Sequence, residues 1–243
     1  MEYALSFVAI VAAIILHEVS HGYMALALGD DTARRLGRLS LNPIVHVDRV
    51  GTILVPLMLL GFQLLARTGT GLVFGWAKPV PVDPRRFPDP RRGMMVVATA
   101  GPAMNFLLAW LTLLALHATP LLAGEPRFYV LVFAAYFLIA NLALGTFNLL
   151  PILPLDGGRI VAGLLPARLA AAWARMERAG IAVVLLLIFL LPWALRDMGI
   201  DFDPLRFWLH AVGDPIFRLL ANLAGNPEDL RTVLEYLDGG AGG

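Results

Sequence analysis

Apolar residues in this chain occur in long runs instead of alternating with polar ones. Four of the runs reach the length of about 18 residues or more that a helix needs to cross roughly 30 Å of hydrocarbon. They lie at residues 3–28, 94–118, 128–150 and 179–196. The pattern predicts an all-α polytopic membrane protein in which these four runs are transmembrane helices.

Two further apolar runs are ambiguous. Residues 50–66 are short for a span and contain Pro56, and residues 205–224 are interrupted by charged side chains such as Arg206 and Asp214. The first run fits either a short span or one arm of a re-entrant segment. The second fits either an amphipathic helix at the membrane interface or a span. We therefore expect a bundle of about four to six transmembrane helices.

The distribution of arginine residues orients the predicted helices. Arginines follow the first span, precede the second and separate the third from the fourth, whereas the 119–127 loop contains the single arginine Arg127. Loops rich in positive charge favour the cytoplasmic side of a membrane. We therefore expect a multi-pass protein of the cell membrane with its N-terminus outside.

This orientation constrains the region between the first two spans. Residues 30–49 and 83–93 both contain several arginines, so the chain between them must return to the cytoplasmic side from which it starts. We expect residues 50–66 to enter the membrane and residues 71–82 to return as an extended segment, which forms a re-entrant hairpin. Non-helical backbone at membrane depth needs cover from protein or a water-filled cavity. A cavity is therefore expected beside this loop.

Composition adds three limits. Hydrophobic residues make up 58% of the chain and charged residues 15%, against about 25% charged in soluble domains. One membrane domain at residues 1–225 is expected, followed by a flexible tail at residues 226–243. The net charge of +1 supplies no basic face, so no nucleic-acid partner is expected. Because the chain has no cysteine, a metal site must use histidine, aspartate or glutamate.

The residues that can carry chemistry lie near the end of the first run, in LHEVSHGYMA at residues 16–25. His17 and His21 are four residues apart, so both imidazoles project from one face of a helix. Glu18 lies between them, as in H-E-x-x-H zinc sites, where the glutamate is the general base. Ionisable groups inside a span are costly and usually functional. The alternative is a pair of histidines hydrogen-bonded in the bundle interior.

A catalytic zinc site needs a third protein ligand and an open coordination position. The first and third spans run in the same direction, and the third leads into NLLPILPLDGGR at residues 148–159. Asp156 in this segment is therefore expected at the depth of His17 and His21. The two glycines after it would let the backbone turn close to the metal. The alternative for Asp156 is an ordinary turn at the end of a span.

Three motifs together, HEVSH, AGPAMN at residues 100–105 and NLLPILPLDGGR, resemble the site-2 protease family of intramembrane zinc metalloproteases. The resemblance implies that one zinc ion is held by His17, His21 and Asp156. It also implies that Glu18 is the general base of peptide hydrolysis.

The same resemblance suggests partners. Asn148, which opens the last motif, would contact the substrate backbone or the developing oxyanion, and the alternative is that its amide links helices. Asn105 and Asn141 are expected to link helices. The substrates would be single-span, membrane-anchored regulatory proteins, cleaved in or near their transmembrane segments. The chain has room for neither the PDZ nor the CBS domain of other members, so it is similar to the short prokaryotic branch.

The segment KPVPV at residues 78–82 offers a docking edge for an unwound substrate. Its two prolines lack N–H groups on one strand edge, whereas Val80 and Val82 keep theirs on the other. We expect Lys78, Val80 and Val82 to bind substrate by strand addition. The alternative is that the prolines only avoid unsatisfied donors in a re-entrant turn.

A different class of function is compatible with the same residues, either a non-proteolytic metal-dependent membrane scaffold or a divalent-cation transporter. A transporter should carry further carboxylates along a path through the spans, and apart from Glu18 and Asp156 the spans have almost none. A pseudoenzyme would be expected to lack the base or a ligand, and all of them are present.

Overall fold

The computed structural model describes residues 1–66 and 75–240, and within these ranges the chain forms helices and no β-strand. Three helices, the first, fourth and fifth, are 25 or 26 residues long. In chain order the α-helices are α1 (Glu2–Ala27), α2 (Thr32–Arg35), α3 (Val55–Ala66), α4 (Pro90–Ala115), α5 (Gly124–Asn148), α6 (Asp156–Leu164), α7 (Ala167–Ala174), α8 (Glu177–Leu185), α9 (Leu191–Asp197), α10 (Pro204–Trp208), α11 (Asp214–Leu223) and α12 (Leu230–Gly240). The all-α fold class predicted from the sequence is confirmed.

Four helical stretches in the described ranges are long and apolar enough to cross a membrane. They are Glu2–Ala27, Pro90–Leu121, Gly124–Asn148 and Ala179–Asp197, and they coincide with the four runs predicted as spans. The last stretch joins α8 to α9 through a π-helical turn at Leu186–Leu190. The chain is therefore a multi-pass membrane protein.

Small residues fill the contacts between the long helices. α1, α4 and α5 pack against one another, and Ala9, Ala13, Ala109 and Ala135 at their contacts are 0–1% exposed. Large apolar side chains such as Phe7 point outward and are exposed. In soluble proteins large apolar side chains are usually buried, so this arrangement is reversed. It suits a bilayer, in which small residues let helix backbones approach closely while lipid covers the large side chains.

The region between α1 and α4 agrees with the expected re-entrant hairpin as far as it is described. A π-helical turn at Arg49–Leu54 continues into α3, which leads away from the turn. The chain then returns, because the N–H of Trp76 donates to the carbonyl of Gly51 at 3.1 Å and Thr52 Oγ1 donates to the carbonyl of Trp76 at 2.9 Å. Residues 71–74 of the predicted returning segment lie outside the described residues.

The C-terminal region differs from the expected flexible tail. α10, a π-helical turn (Leu209–Gly213) and α11 cover residues 204–223, and α12 then packs on α5. Val233 is 1% exposed in the core formed with α4 and α5. Residues 230–240, expected in a flexible tail, instead form a helix, because LRTVLEYL at residues 230–237 places apolar side chains on one helix face. Residues 241–243 of the predicted tail lie outside the described residues.

A buried carboxylate fastens this C-terminal segment to the loop between α4 and α5. Asp229 Oδ2 accepts a hydrogen bond from the Thr119 hydroxyl, and its Oδ1 accepts one from Arg127 Nη2 at 2.7 Å. The bond from Thr119, with that from Arg127, lowers the pKa of Asp229 although burial opposes the shift. A lowered pKa means that the anchor is intact above the ordinary aspartate pKa of about 3.9 and is lost as the pH falls through the lower folded value.

We expect Asp229→Ala to loosen α12, because both donors lose a charged acceptor. The free energy of local opening of α12 should fall by about 1–3 kcal/mol. Amide hydrogen exchange of residues 230–237 measures this change. Glu235→Gln is the matched control, since the exposed Glu235 pairs with the exposed Arg231 at 2.8 Å. Equal exchange rates in wild type and Asp229→Ala would contradict the expectation.

Candidate metal centre and active site

Two histidines and an aspartate converge inside the helical bundle. Nε2 of His17 lies 3.1 Å from Nε2 of His21, and Oδ2 of Asp156 lies 3.2 Å from each of these nitrogens. The side chains are 6%, 11% and 13% exposed, respectively. The structure therefore brings together the three residues that the sequence predicted as metal ligands.

The two histidines reach this point because α1 is continuous through residues 17–21 and places both imidazoles on its face toward α4. A Cβ added to Gly101 of α4 would lie 2.4 Å from Nε2 of His21 and 2.5 Å from Cε1 of His17. Only a glycine leaves space for both rings. Gly101 is therefore a site residue that its motif, AGPAMN, did not reveal, although the motif carried part of the family resemblance.

Asp156 reaches the histidines through a compact turn after α5. The segment 149–155 folds back, and Asp156 is the first residue of α6. A Cβ on Gly157 would lie 2.3 Å from the carbonyl oxygen of Leu149, and one on Gly158 would lie 2.4 Å from the nitrogen of Leu153. The glycines therefore permit close packing of the turn on itself, whereas the sequence analysis had assigned them to the approach of the backbone to a metal.

The hydrogen bonds around the cluster show that it suits a cation. Nδ1 of His21 lies 2.7 Å from the carbonyl oxygen of Val97. A carbonyl only accepts, so Nδ1 carries a proton, and in the neutral ring that a metal binds the Nε2 lone pair faces Asp156. Oδ2 of Asp156 is buried and accepts no hydrogen bond from the described residues. A buried carboxylate oxygen beside imidazole lone pairs needs a positive charge, and this donor set fits a divalent first-row metal.

Glu18 lies beside the cluster without being part of it. Its Oε2 accepts a hydrogen bond from the N–H of Val80 at 3.0 Å. The N–H that the sequence analysis expected to be free for a substrate is therefore already bonded to the proposed general base. An alternating sequence pattern gives the direction of an N–H group but not the partner that another segment brings to it.

We call residues 75–83 the strap, because this irregular segment lies across α1 and is fixed along its length. Its N–H groups and carbonyls bond to four separate elements. The bonds are Trp76 N–H to Gly51 carbonyl at 3.1 Å, Lys78 N–H to His46 carbonyl at 2.8 Å, Arg38 Nη2 to Lys78 carbonyl at 2.8 Å, and Asp83 N–H to Asp30 Oδ2 at 2.7 Å. Both backbone polar groups of Lys78 are therefore engaged within the protein.

Asp30, just after α1, is the buried end of this set of bonds. It is 0% exposed. Burial opposes its ionisation, but hydrogen bonds from Thr32 and from the N–H of Asp83, together with Arg86, bring the net pKa of Asp30 below its ordinary value. The carboxylate therefore stays charged at neutral pH and holds the strap to the end of α1.

A cavity of about 330 Å³ lies over the cluster, as the sequence analysis expected beside this loop. The strap contributes Trp76, Pro79, Val80 and Val82 to its lining. Lining residues outside the strap include Asn148, Pro154, Leu155, Ile181 and Val184. The walls are mostly apolar, while the metal-ligand cluster and Glu18 supply polar groups. This composition is typical of a binding site for a small ligand or a peptide segment.

The predicted asparagines occupy two different places. Asn148 lines the cavity, and its Nδ2 donates to the carbonyl of Leu144 at 3.0 Å. Asn105 and Asn141 are 0% exposed and bonded to each other, which agrees with the expected link between helices. Asn105 also lies 2.6 Å from Nδ1 of His17, a contact that the sequence analysis missed. The sequence signal for this contact was that Asn105 follows Gly101 by four residues, about one helix turn.

Comparison with known proteins gives a match to a peptidase family and relatives whose names are those of metalloproteases. The family described as Peptidase family M50 matches residues 120–191. The chain is 36% identical over 209 residues to YwhC of Bacillus subtilis, a candidate zinc metalloprotease by its name, covering 80% of this chain and 86% of YwhC. It is 25% identical over 190 residues to zinc metalloprotease MJ0392 of Methanocaldococcus jannaschii, covering 78% of this chain and 42% of MJ0392. No solved structure gives a significant match.

The fold and the site define a multi-pass membrane protein with a buried histidine and carboxylate metal-ligand cluster. The extended match to YwhC then shows that the chain belongs to peptidase family M50, the site-2 protease family that its motifs resemble. It is a membrane metalloprotease.

Proposed function

We propose that this protein is a zinc-dependent intramembrane endopeptidase that cleaves single-span membrane proteins in or near their transmembrane segments. The observation that carries the proposal is the convergence of His17 and His21, from a membrane-spanning helix, on Asp156 Oδ2 at 3.2 Å. Glu18 on the same helix lines the cavity above them. These residues would supply the ligands and the base that peptide hydrolysis needs, on a helix that spans the membrane.

Zinc is the proposed metal because two imidazoles and one carboxylate form a common catalytic zinc site with a position left open. His17, His21 and Asp156 would hold one ion per chain, and the names of both relatives refer to zinc. When bound, zinc polarises the scissile carbonyl and makes water nucleophilic near neutral pH.

The residues of the chain itself move the protons and orient the substrate. Glu18 accepts a proton from the attacking water and returns it to the leaving amine. Its Oε2 accepts from the N–H of Val80, and the carboxylate has further lone pairs that can take the proton. Asn148 has one amide hydrogen bonded to Leu144, and since an amide nitrogen carries two, it can donate the second to the developing oxyanion.

The proposed substrate path lies between the strap and the segment around Asp156. A helical substrate must unwind there, because its carbonyls are otherwise bonded within the helix. Once unwound, it would lie along the strap near Lys78, Val80 and Val82 and pair with the N–H of Val80 in place of Glu18. The arginine distribution supports a site toward the cytoplasmic side of the cell membrane, with the N-terminus outside.

We expect Val80→Pro to lower cleavage of a single-span substrate at least about 10-fold, because it removes the N–H that would pair with the substrate. Cleavage of a short peptide that is already unfolded should not fall, since Glu18 is freed by the same change. Both rates are measured by gel or mass spectrometry at equal metal content.

Val80→Ala is the matched control for this change. It keeps the N–H and removes only side-chain packing, so both substrates should be cleaved at nearly the wild-type ratio. If Val80→Pro lowered the two rates equally, or left both unchanged, the strap would not select unwound substrates.

The proposed function is tested with protein purified in detergent. Its zinc content is measured by atomic absorption, and a panel of single-span membrane proteins is then incubated with it. The expected result is about one zinc per chain and cleavage within or next to a transmembrane segment, lost on chelation and restored by zinc. Bound zinc without cleavage of any substrate would favour the metal-dependent scaffold instead.

A further inference from the structure

A chain of buried amides leads from a metal-ligand candidate into the centre of the bundle. Nδ1 of His17 lies 2.6 Å from Oδ1 of Asn105, and Asn105 Nδ2 donates to Oδ1 of Asn141 at 2.8 Å. Asn141 Nδ2 then donates to the carbonyl of Phe137 at 2.8 Å. Both asparagines are 0% exposed, so these contacts are not exchanged with water. This series of hydrogen bonds crosses from α1 through α4 to α5.

The last acceptor fixes the direction of every bond in this chain. The carbonyl of Phe137 can only accept, so the amide nitrogen of Asn141 must face it and the amide oxygen must face Asn105. Asn105 must in turn present its nitrogen to Asn141 and its oxygen to His17. The ambiguity between the two ends of an asparagine amide is therefore resolved by the hydrogen-bond network.

An oxygen acceptor at 2.6 Å requires Nδ1 of His17 to be the donor. His17 is then the tautomer with its proton on Nδ1, and the lone pair of Nε2 points to Asp156 and His21. His21 reaches the same tautomer by donating directly to the carbonyl of Val97 at 2.7 Å. At the position of His17 two side-chain amides take the place of that carbonyl.

We propose that Asn105 and Asn141 are positioning residues for metal binding. This proposal rests on the proposed function. Asn105 accepts the Nδ1 proton of His17 and so keeps Nε2 free to bind the metal. Asn141 prevents the side-chain amide of Asn105 from flipping by about 180°. In the flipped amide, the NH2 group of Asn105 would face the Nδ1–H of His17, and its oxygen would face the amide oxygen of Asn141. A partner on the second nitrogen of a metal-binding histidine sets its tautomer and ring orientation.

Two asparagines serve this purpose where one would not. A single amide next to an imidazole can accept from one tautomer or donate to the other, with similar geometry. The second amide breaks this symmetry, because it is itself anchored to a backbone carbonyl. Amides also do so without adding a buried negative charge inside a membrane-spanning bundle, where such a charge is costly. The arrangement therefore orients His17 while Asp156 remains the anionic ligand.

The sharpest test is Asn141→Leu, which removes the second amide and leaves the His17–Asn105 pair in place. In metal-free protein with 15N-labelled histidine, above the usual histidine pKa of about 6.5, NMR shifts report which ring nitrogen carries the proton. We expect wild-type His17 to be protonated on Nδ1 and Asn141→Leu to give a mixture of both tautomers. The zinc dissociation constant should rise roughly 10- to 100-fold.

Asn105→Leu should change the His17 tautomer and the zinc dissociation constant at least as much. With Co²⁺ in place of zinc, this variant should also show a visible absorption spectrum different from that of the wild type. The Asn105→Asp, Asn141→Leu double variant should recover the Nδ1 tautomer and most of the zinc affinity, because a carboxylate accepts in either orientation. Thr112→Val is the matched control. Thr112 is a mostly buried polar residue of α4 whose hydroxyl bonds to the carbonyl of Leu108 at 2.8 Å, so its loss should change neither measurement.

Two results would overturn the proposal. One is an unchanged His17 tautomer and zinc affinity in Asn141→Leu protein that elutes and unfolds like wild type. The other is an Asn105→Asp double variant that fails to recover the tautomer although it is folded by circular dichroism. The tautomer measurement needs neither metal nor substrate, so a wild-type protein that binds no zinc would contradict the proposed function and leave this test in force.

Discussion

Replacing Glu18 with glutamine is expected to abolish peptide-bond cleavage while the protein keeps its metal. Glutamine has nearly the same shape, and its amide oxygen can still accept from the N–H of Val80, which Glu18 Oε2 binds at 3.0 Å. The amide cannot take a proton from water at neutral pH, so general-base catalysis is lost. Since this contribution is typically 10²- to 10⁴-fold, the cleavage rate should fall by roughly that factor.

The measurement combines zinc content by atomic absorption with cleavage of a single-span substrate at matched protein concentration. Glu2→Gln is the control, because it makes the same substitution in α1 at the other end of the helix, where Glu2 accepts from the hydroxyl of Tyr236 at 2.8 Å. That variant should cleave like wild type. Full activity of Glu18→Gln would eliminate Glu18 as the base, and loss of its zinc would make Glu18 a ligand.

Replacing Asp156 with alanine is expected to remove metal binding itself. Asp156 supplies the only carboxylate of the cluster, and its Oδ2 lies 3.2 Å from each histidine Nε2. Two neutral imidazoles remain, which leaves a divalent ion with too few protein ligands for a catalytic zinc site. The zinc dissociation constant should rise at least about 100-fold, beyond the usual effect of losing an outer partner, and cleavage should disappear with it.

Zinc affinity is measured by competition with a chromophoric chelator, and excess zinc is added to the cleavage assay. Asp203→Ala is the control, since Asp203 caps α10 by accepting from the N–H of Arg206 at 3.0 Å and lies outside the cluster. Wild-type zinc affinity in Asp156→Ala would show that another residue completes the site. Together with Glu18→Gln, this variant separates metal binding from proton transfer.

The spans and the two histidine ligand candidates were predictable because each depends on local sequence. Apolar length marks a span, and four-residue spacing places His17 and His21 on one helix face. Asp156 needed one further step, the parallel direction of the first and third spans. The roles of these residues in catalysis stay predictions, while their proximity is a property of the structure.

The missed features depend on which segments meet in space. The pairing of Asn105 with His17 is set by the register of α4 against α1, and the bond of Val80 to Glu18 by the path of the strap. Neither register nor path is encoded by a local period. α12 was missed for a different reason, because its apolar face is short and precedes a glycine-rich end that is typical of flexible chain.

The bond between Glu18 Oε2 and the N–H of Val80 sets an energy threshold for a ligand that would take that N–H. A hydrogen bond to a charged group contributes about 1.5–3 kcal/mol, and a ligand must recover this amount through its own contacts before the carboxylate is released. A segment able to pair with the strap recovers it, whereas a loosely held peptide does not. Under the proposed function, the difference would correspond to roughly 10- to 150-fold in occupancy, so a single backbone N–H would favour chains that lie along the strap.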